Sequence, residues 1–340
     1  MKRRQFLVSS SVLTASLAGL SVQSPETQLE KIVPPSLKKG STIALTAPAG
    51  AIFSPKHIEK MTQILEKFGF KVILGKTLTL QEGYLAGSDV ERANELNTFF
   101  KDKTVNAIFT MRGGWGCGRL LHLIDYELIR QNPKIIMGFS DITSLLVAIT
   151  KKTGLITFHG PCGYSSWNSF STKSVYETLI TGGKAKFENP DSEKKQLTTI
   201  VAGDAKGEIL AGNLTVLCSM IGTPFEPVWT GKILCLEEIG EEPYRVDRML
   251  WQLASAGVLN KLNGVVLGSF RKCEPEFPER SFSLDAVLRQ HFNHLKIPVF
   301  KGASFGHTVN KYNLPIGALA KMNSSTYSFQ LLESPTIFNG

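Results

Sequence analysis

Ile135-Ile136-Met137-Gly138-Phe139-Ser140-Asp141-Ile142-Thr143 runs from an apolar segment through a short polar turn into a helix-spaced pattern that continues to Ile149. Lys134–Met137 reads as a buried strand, and the turn as a strand-to-helix reversal with a serine at its apex. A serine placed there projects its hydroxyl, and the first amides of the following helix can hold a developing oxyanion. The same letters suit an ordinary helix cap, because serine caps helices and glycine fills turns, and position 142 is Ile where G-x-S-x-G has glycine. Taken alone, the segment leaves both readings open.

Upstream, the pattern alternates. Thr42–Thr46 is a short strand-like run that stops at Pro48. Ser54-Pro55 opens a helix with Ile58, Met61, Ile64, Leu65 and Phe68 at helical spacing. Phe70–Leu74 returns to a strand, and Ser88 with Glu91 spells a capping box for a helix through Ala93, Leu96, Phe99 and Phe100. Val105–Met111 is a further buried strand before the glycine-rich Arg112–Gly118. Such alternation predicts a parallel sheet covered by helices, a Rossmann- or flavodoxin-like α/β domain over 41–165. Residues 166–204, rich in Ser, Thr, Lys and Gly, read as a linker or crossover, and 25–40 as a linker. A smaller, β-rich α/β domain is expected over 205–340, with strands at Ile233–Leu236 and Val265–Leu267 and helices at Tyr244–Ala256 and Leu284–Phe292.

Composition narrows the class. The 340 residues are 42% apolar and 20% charged, with Gly and Pro dispersed, which excludes disordered and fibrous proteins. Five cysteines (117, 162, 218, 235, 273) show no C-x-x-C spacing, so no zinc ribbon, iron–sulfur site or dense disulfide framework is expected. The net charge of +9 falls to +6 once Lys2, Arg3 and Arg4 are set aside, and without a long basic run nucleic acid is not an expected partner. Those three residues open a leader, 1–24, in which Arg3-Arg4 precede a mildly apolar stretch. It resembles a twin-arginine export signal rather than a stable membrane span, which predicts a periplasmic protein with no membrane span once processed.

The chemistry-bearing residues are few. The glycines of Arg112-Gly113-Gly114-Trp115-Gly116 match neither G-x-G-x-x-G nor a P-loop and are better suited to close backbone approach beside the serine. Among six histidines, His307 in Gly306-His307-Thr308 stands out as a base for Ser140. His57 and His122 suit packing or surface roles, and His159 could shape the cleft. His291 and His294, three apart without a third ligand, suit a solvated helix face better than a metal site. Glu237 and Glu238 end an apolar strand, and alternation sends them to opposite faces, so one of the two can orient the histidine. Arg245 and Arg248 suit ion pairs with Glu241, Glu242 or Asp247.

In combination, the chain resembles the LD-carboxypeptidase family of serine peptidases, which also contains microcin-immunity hydrolases. The matching blocks are Ala47-Pro48, Gly83–Gly87, Arg112–Gly116, Gly138-Phe139-Ser140-Asp141, Gly212-Asn213-Leu214, Gly222-Thr223-Pro224, Leu236-Glu237-Glu238, Pro243–Leu250, Gly306-His307-Thr308 and Leu314–Gly317. The resemblance implies a Ser140-Glu237-His307 triad, with the amides of Asp141 and Gly114 binding the oxyanion. It also implies release of terminal D-alanine from a murein tetrapeptide, with no metal and no cofactor. Glu238 stands where the family often has Asp, which keeps both glutamates in play as the orienting acid. Two alternatives remain: a microcin-immunity type of hydrolase acting on acyl-nucleotide amides, and a non-enzymatic periplasmic peptide-binding protein. Association into a homodimer is left open.

Overall fold

The computed structural model describes residues 29–338; the export-like leader lies outside the described residues. In chain order, the first half contains β1 (Thr42–Thr46), α1 (Pro55–Lys67), β2 (Lys71–Leu74), α2 (Asp89–Lys101), β3 (Ala107–Thr110), α3 (Tyr126–Gln131), β4 (Ile135–Gly138), α4 (Ile142–Thr153) and β5 (Thr157–His159). The strands are parallel in the order β2-β1-β3-β4-β5, the flavodoxin-like winding. β3 and β4 are buried along their whole length, as a sheet covered on both faces requires. α2 starts on the expected capping box: Glu91 N–H donates to Ser88 Oγ, and Ser88 N–H donates to the Glu91 carboxylate at 2.9 Å. All the loops leaving β1, β3, β4 and β5 therefore gather at one edge, where open α/β sheets bind ligands.

The second half contains α5 (Ser169–Leu179), β6 (Thr198–Val201), β7 (Asp204–Asn213), α6 (Leu214–Met220), β8 (Lys232–Ile239), α7 (Pro243–Ser255), β9 (Gly264–Arg271), α8 (Leu284–Phe292), β10 (Val299–Lys301), β11 (Leu314–Ile316), β12 (Leu319–Asn323) and β13 (Ser328–Leu331). Its sheet is mixed, in the order β13-β12-β7-β8-β9-β10-β6, with β7 to β10 parallel and the outer strands antiparallel. The protein is thus a two-domain α/β fold with parallel-containing sheets.

Three segments depart from the sequence reading. The stretch 166–204 is not a plain linker. It contains α5, capped by Asn168, and the edge strand β6, because its small polar residues Ser171, Ser174 and Thr178 are buried and hydrogen-bonded instead of solvated. The segment before β1 is also anchored: Ile32 and Pro35 form bridges to Leu155 and Ile337, and Leu37 is buried. Finally, β11 belongs to the first sheet, antiparallel to β5, although it follows β10 of the second.

The two sheets meet at α4 and the end of β7. A Cβ on Gly212 would lie 2.4 Å from Thr143 Cγ2, so only glycine lets helix and strand approach this closely. Beside it, Asn213 N–H donates to Thr143 Oγ1 at 3.1 Å. This contact sets the distance between the serine turn and the carboxyl ends of β7 and β8.

Candidate active site

Ser140 follows β4 with φ +66°, one of three non-glycine residues with positive φ among those described. For a residue with a Cβ, that conformation costs about 1–2 kcal/mol and is found where a function demands it. Gly113, at the end of β3, packs directly against the turn. A Cβ there would sit 2.8 Å from Ser140 Cβ, 3.0 Å from Oγ and 3.1 Å from Asp141 N. The missing methyl group leaves a small space bounded by the hydroxyl and an amide that has no intrahelical partner. The sequence reading chose Gly114 as the second amide; Gly114 has φ +114° and is next in the same loop.

Asp141 contributes a side chain as well as an amide. Its buried carboxylate accepts from Cys117 N–H at 2.8 Å, tying the serine turn to the glycine-rich loop. Burial pushes this carboxyl up, opposed by the Cys117 donor and the Arg92 charge. Arg92, fully buried on α2, clamps the same loops. Its Nη1 donates to Pro48 O at 2.6 Å and Gly116 O at 3.1 Å, its Nε donates to Gly87 O at 3.1 Å, and its Nη2 pairs with Asp89. A single guanidinium thereby holds the ends of three blocks that look unrelated in sequence.

Glu237 and His307 come from the second sheet. Glu237 lies near the end of β8, fully buried, and its Oε2 accepts from His307 N–H at 3.2 Å and pairs with His307 Nδ1 at 2.6 Å. Burial pushes the carboxyl up, but the hydrogen bond and charge of His307, aided by His159, carry it below its ordinary value. Gly306 makes the close approach possible: φ is +84°, and a Cβ would fall 2.5 Å from Glu237. Glu238 points the opposite way, as strand alternation requires. Its carboxylate accepts from Thr215 N–H and Oγ1–H at 2.8 Å each, from Asn213 Nδ2 at 2.9 Å and from Ile239 N–H at 2.8 Å. It braces the start of α6, and burial raises its pKa.

The two halves face each other through Phe139, whose ring lies 4.9 Å from that of His307. No hydrogen bond joins Ser140 Oγ to His307 among the described residues; such contacts commonly tighten only as substrate binds. Two further titratable groups lie at the site: His159, which the sequence offered as a residue shaping the cleft, and Lys311, which it did not mark. His159, at the end of β5 and paired with Gly138, is buried and pushed down to about 4 by desolvation, against the opposing pull of Glu237. Lys311 lies over the Phe139 ring at 5.3 Å, donates to Thr308 O, and is shifted down by burial. The loop carrying His307 is pinned from 166–204: Ser304 N–H donates to Asn189 Oδ1 at 2.9 Å, and Ser304 Oγ to Glu193 at 2.5 Å.

Other sequence candidates resolve away from this edge. His57 stacks on Tyr164, and His122 packs on Phe225. His291 is not solvated; it pairs with Asp247 at 2.6 Å, which turns its ring into the groove between α7 and α8. Arg245 pairs with Glu241 at 3.7 Å. All five cysteines are free and buried.

Comparison with known proteins matches residues 43–160 to the profile of the LD-carboxypeptidase N-terminal domain and residues 206–322 to that of the LD-carboxypeptidase C-terminal domain. A Bacillus subtilis protein described as "Probable murein peptide carboxypeptidase" is 41% identical over 86% of this chain and 92% of its own length. The chain belongs to the LD-carboxypeptidase family. Among solved structures, the muramoyltetrapeptide carboxypeptidase of Oxalobacter formigenes aligns with a TM-score of 0.76 and 31% identity, covering 86% of this chain and 98% of that one. The microcin C7 self-immunity protein MccF, in complex with glutamyl sulfamoyl guanosine, aligns with a TM-score of 0.82 and 26% identity over 90% and 99%. Several of the family blocks noted in the sequence, among them Ala47-Pro48, Gly83–Gly87, Arg112–Gly116 and Gly212-Asn213-Leu214, coincide with loops that Arg92, Asp141 and Asn213 tie together.

Proposed function

We propose that this LD-carboxypeptidase is a serine hydrolase that releases the terminal D-alanine of murein tetrapeptides. The observation that carries the mechanism is the buried Glu237–His307 pair facing a serine held at φ +66°. Ser140 Oγ attacks the carbonyl that precedes D-alanine, and His307 takes the hydroxyl proton. The oxyanion is held by the amides of Asp141 and Gly114, and collapse expels D-alanine with the proton returned by His307. Water then hydrolyses the acyl-serine by the same route. Glu237 fixes the His307 tautomer and stabilises its charged form; Glu238 has a structural task. Relatives with murein-peptide names support the peptide substrate. The strained serine and the Glu–His pair favour an enzyme over a peptide-binding protein.

Incubating the purified protein with murein tri-, tetra- and pentapeptides and reading products by mass tests this: D-alanine should leave the tetrapeptide. Intact tetrapeptide alongside cleavage of an aminoacyl sulfamoyl nucleotide would transfer the assignment to the MccF type of reaction. The leader supports a periplasmic site of action. Replacing Arg3-Arg4 by Lys-Lys should move activity from the periplasmic to the cytoplasmic fraction, and an unchanged distribution would refute export by that route.

A further inference from the structure

Arg112 has no task in the mechanism above, yet its guanidinium lies against the loop that contacts the nucleophile. Nη1 donates to Ala51 O at 3.0 Å, and the group lies 5.6 Å from the centre of the Tyr164 ring, itself stacked on His57 at 4.0 Å. Nε and Nη2 make no hydrogen bond among the described residues, and Arg112 is only half-buried. A Cβ on Gly50 would lie 3.2 Å from Nε, and one on Gly114 would lie 3.5 Å from Nη2. A side chain on Gly113 would thus run into Ser140 and one on Gly114 would reach the Arg112 fork, two positions one residue apart, about 3.8 Å along the backbone.

In a peptide cut at its last amide, the terminal carboxylate also lies one residue beyond the scissile carbonyl. With that carbonyl at Ser140 and the Asp141 amide, a carboxylate one residue further along the glycine loop would meet the free Nε–Nη2 edge of the guanidinium. A planar fork matches a carboxylate in two hydrogen bonds. Three other cations near this edge are committed: Arg92 is fully buried with its donors in use, Lys311 is buried and bound to Thr308 O, and Arg119 pairs with Asp89.

We propose that Arg112 binds the free C-terminal carboxylate of the substrate and so confines cleavage to the last residue. The inference rests on the carboxypeptidase reading, and the test separates the two. In a Ser140→Ala background, binding of the tetrapeptide and of its C-terminal amide is measured by calorimetry, and in the active protein kcat/KM is measured for both. The acid should be preferred by about 10²-fold or more in rate and about 10-fold or more in binding. Arg112→Gln should abolish both preferences by weakening the acid alone, and Arg112→Lys should restore part of them. A preference that survives Arg112→Gln in a folded protein overturns the proposal. Absence of hydrolysis with an Arg112-dependent binding preference would refute the carboxypeptidase mechanism and leave the carboxylate site standing.

Discussion

Ser140 is held in place by backbone: a left-handed φ, a glycine that leaves room for the hydroxyl, and amides tied through Asp141 to the neighbouring loop. Glu237 and His307, by contrast, are held by hydrogen bonds to a fully buried carboxylate, which must find a partner or become protonated. The first half stores its geometry as steric strain and the second as charge. The difference predicts that substitutions in the first should alter rate with little effect on charge balance, whereas those in the second should alter both.

The largest effects remove the reacting groups. Ser140→Ala or His307→Ala should each lower turnover by about 10⁴ or more, with the double variant little worse, because the members act as a unit. Ser140→Gly should be equally inactive yet about 1 kcal/mol more stable by denaturant titration, since glycine accepts φ +66° freely. Near-normal D-alanine release by Ser140→Ala would remove the serine from the mechanism.

Next come the adjacent acids. Glu237→Gln should reduce kcat by about 10³–10⁴ because the imidazolium loses its counter-charge. Glu238→Gln should leave kcat within about tenfold while lowering stability by about 1–3 kcal/mol, because the buried Asn213 Nδ2 and the Thr215 donors at the start of α6 lose a charged acceptor. The reverse order of kcat losses would break the assignment. Two glycine substitutions sharpen the contrast further. Gly113→Ala, whose methyl group presses on Ser140 Cβ, Oγ and Asp141 N, should lower kcat by about 10²-fold, more than its loss of about 1–3 kcal/mol of stability accounts for. Gly212→Ala, which drives a methyl group into Thr143 between the sheets, should lower stability by about 1–3 kcal/mol and activity with it. Equal behaviour of the two would mean that the halves are not separately built.

pH probes the site through His159. His159 titrates near 4 in the folded protein against about 6.5 unfolded. Its contribution is fully present above about pH 6.5 and is lost as pH falls toward 4, up to about 3 kcal/mol. Denaturant midpoints between pH 7 and 4.5 should therefore fall less steeply in His159→Phe than in the parent; parallel slopes would show that His159 is not buried neutral.

The same contrast explains what could be read from the sequence. β1 to β5, the capping box at Ser88 and the serine turn are local patterns of apolar runs, glycine and cap residues, so they were legible. The choice between Glu237 and Glu238 was limited to one by alternation, but only the third dimension says which face meets Gly306. Arg92, Asn189 and Glu193 left no trace, because each acts on groups far away in sequence and their letters resemble surface residues. The stretch 166–204 read as linker for the same reason: Ser171, Ser174, Thr178 and Asn189 look like surface residues but are buried and hydrogen-bonded internally.

One consequence concerns synthesis. The sheet carrying Ser140 is closed at its edge by β11, whose Leu314 pairs with His159. A chain growing from its amino terminus therefore presents β5 as an unpaired edge until nearly all of it has left the ribosome. His307 emerges just ahead of that closing strand. Hydrolytic competence and edge protection consequently arrive together, once residues 307–316 have emerged, and until then the nascent chain is an inert precursor.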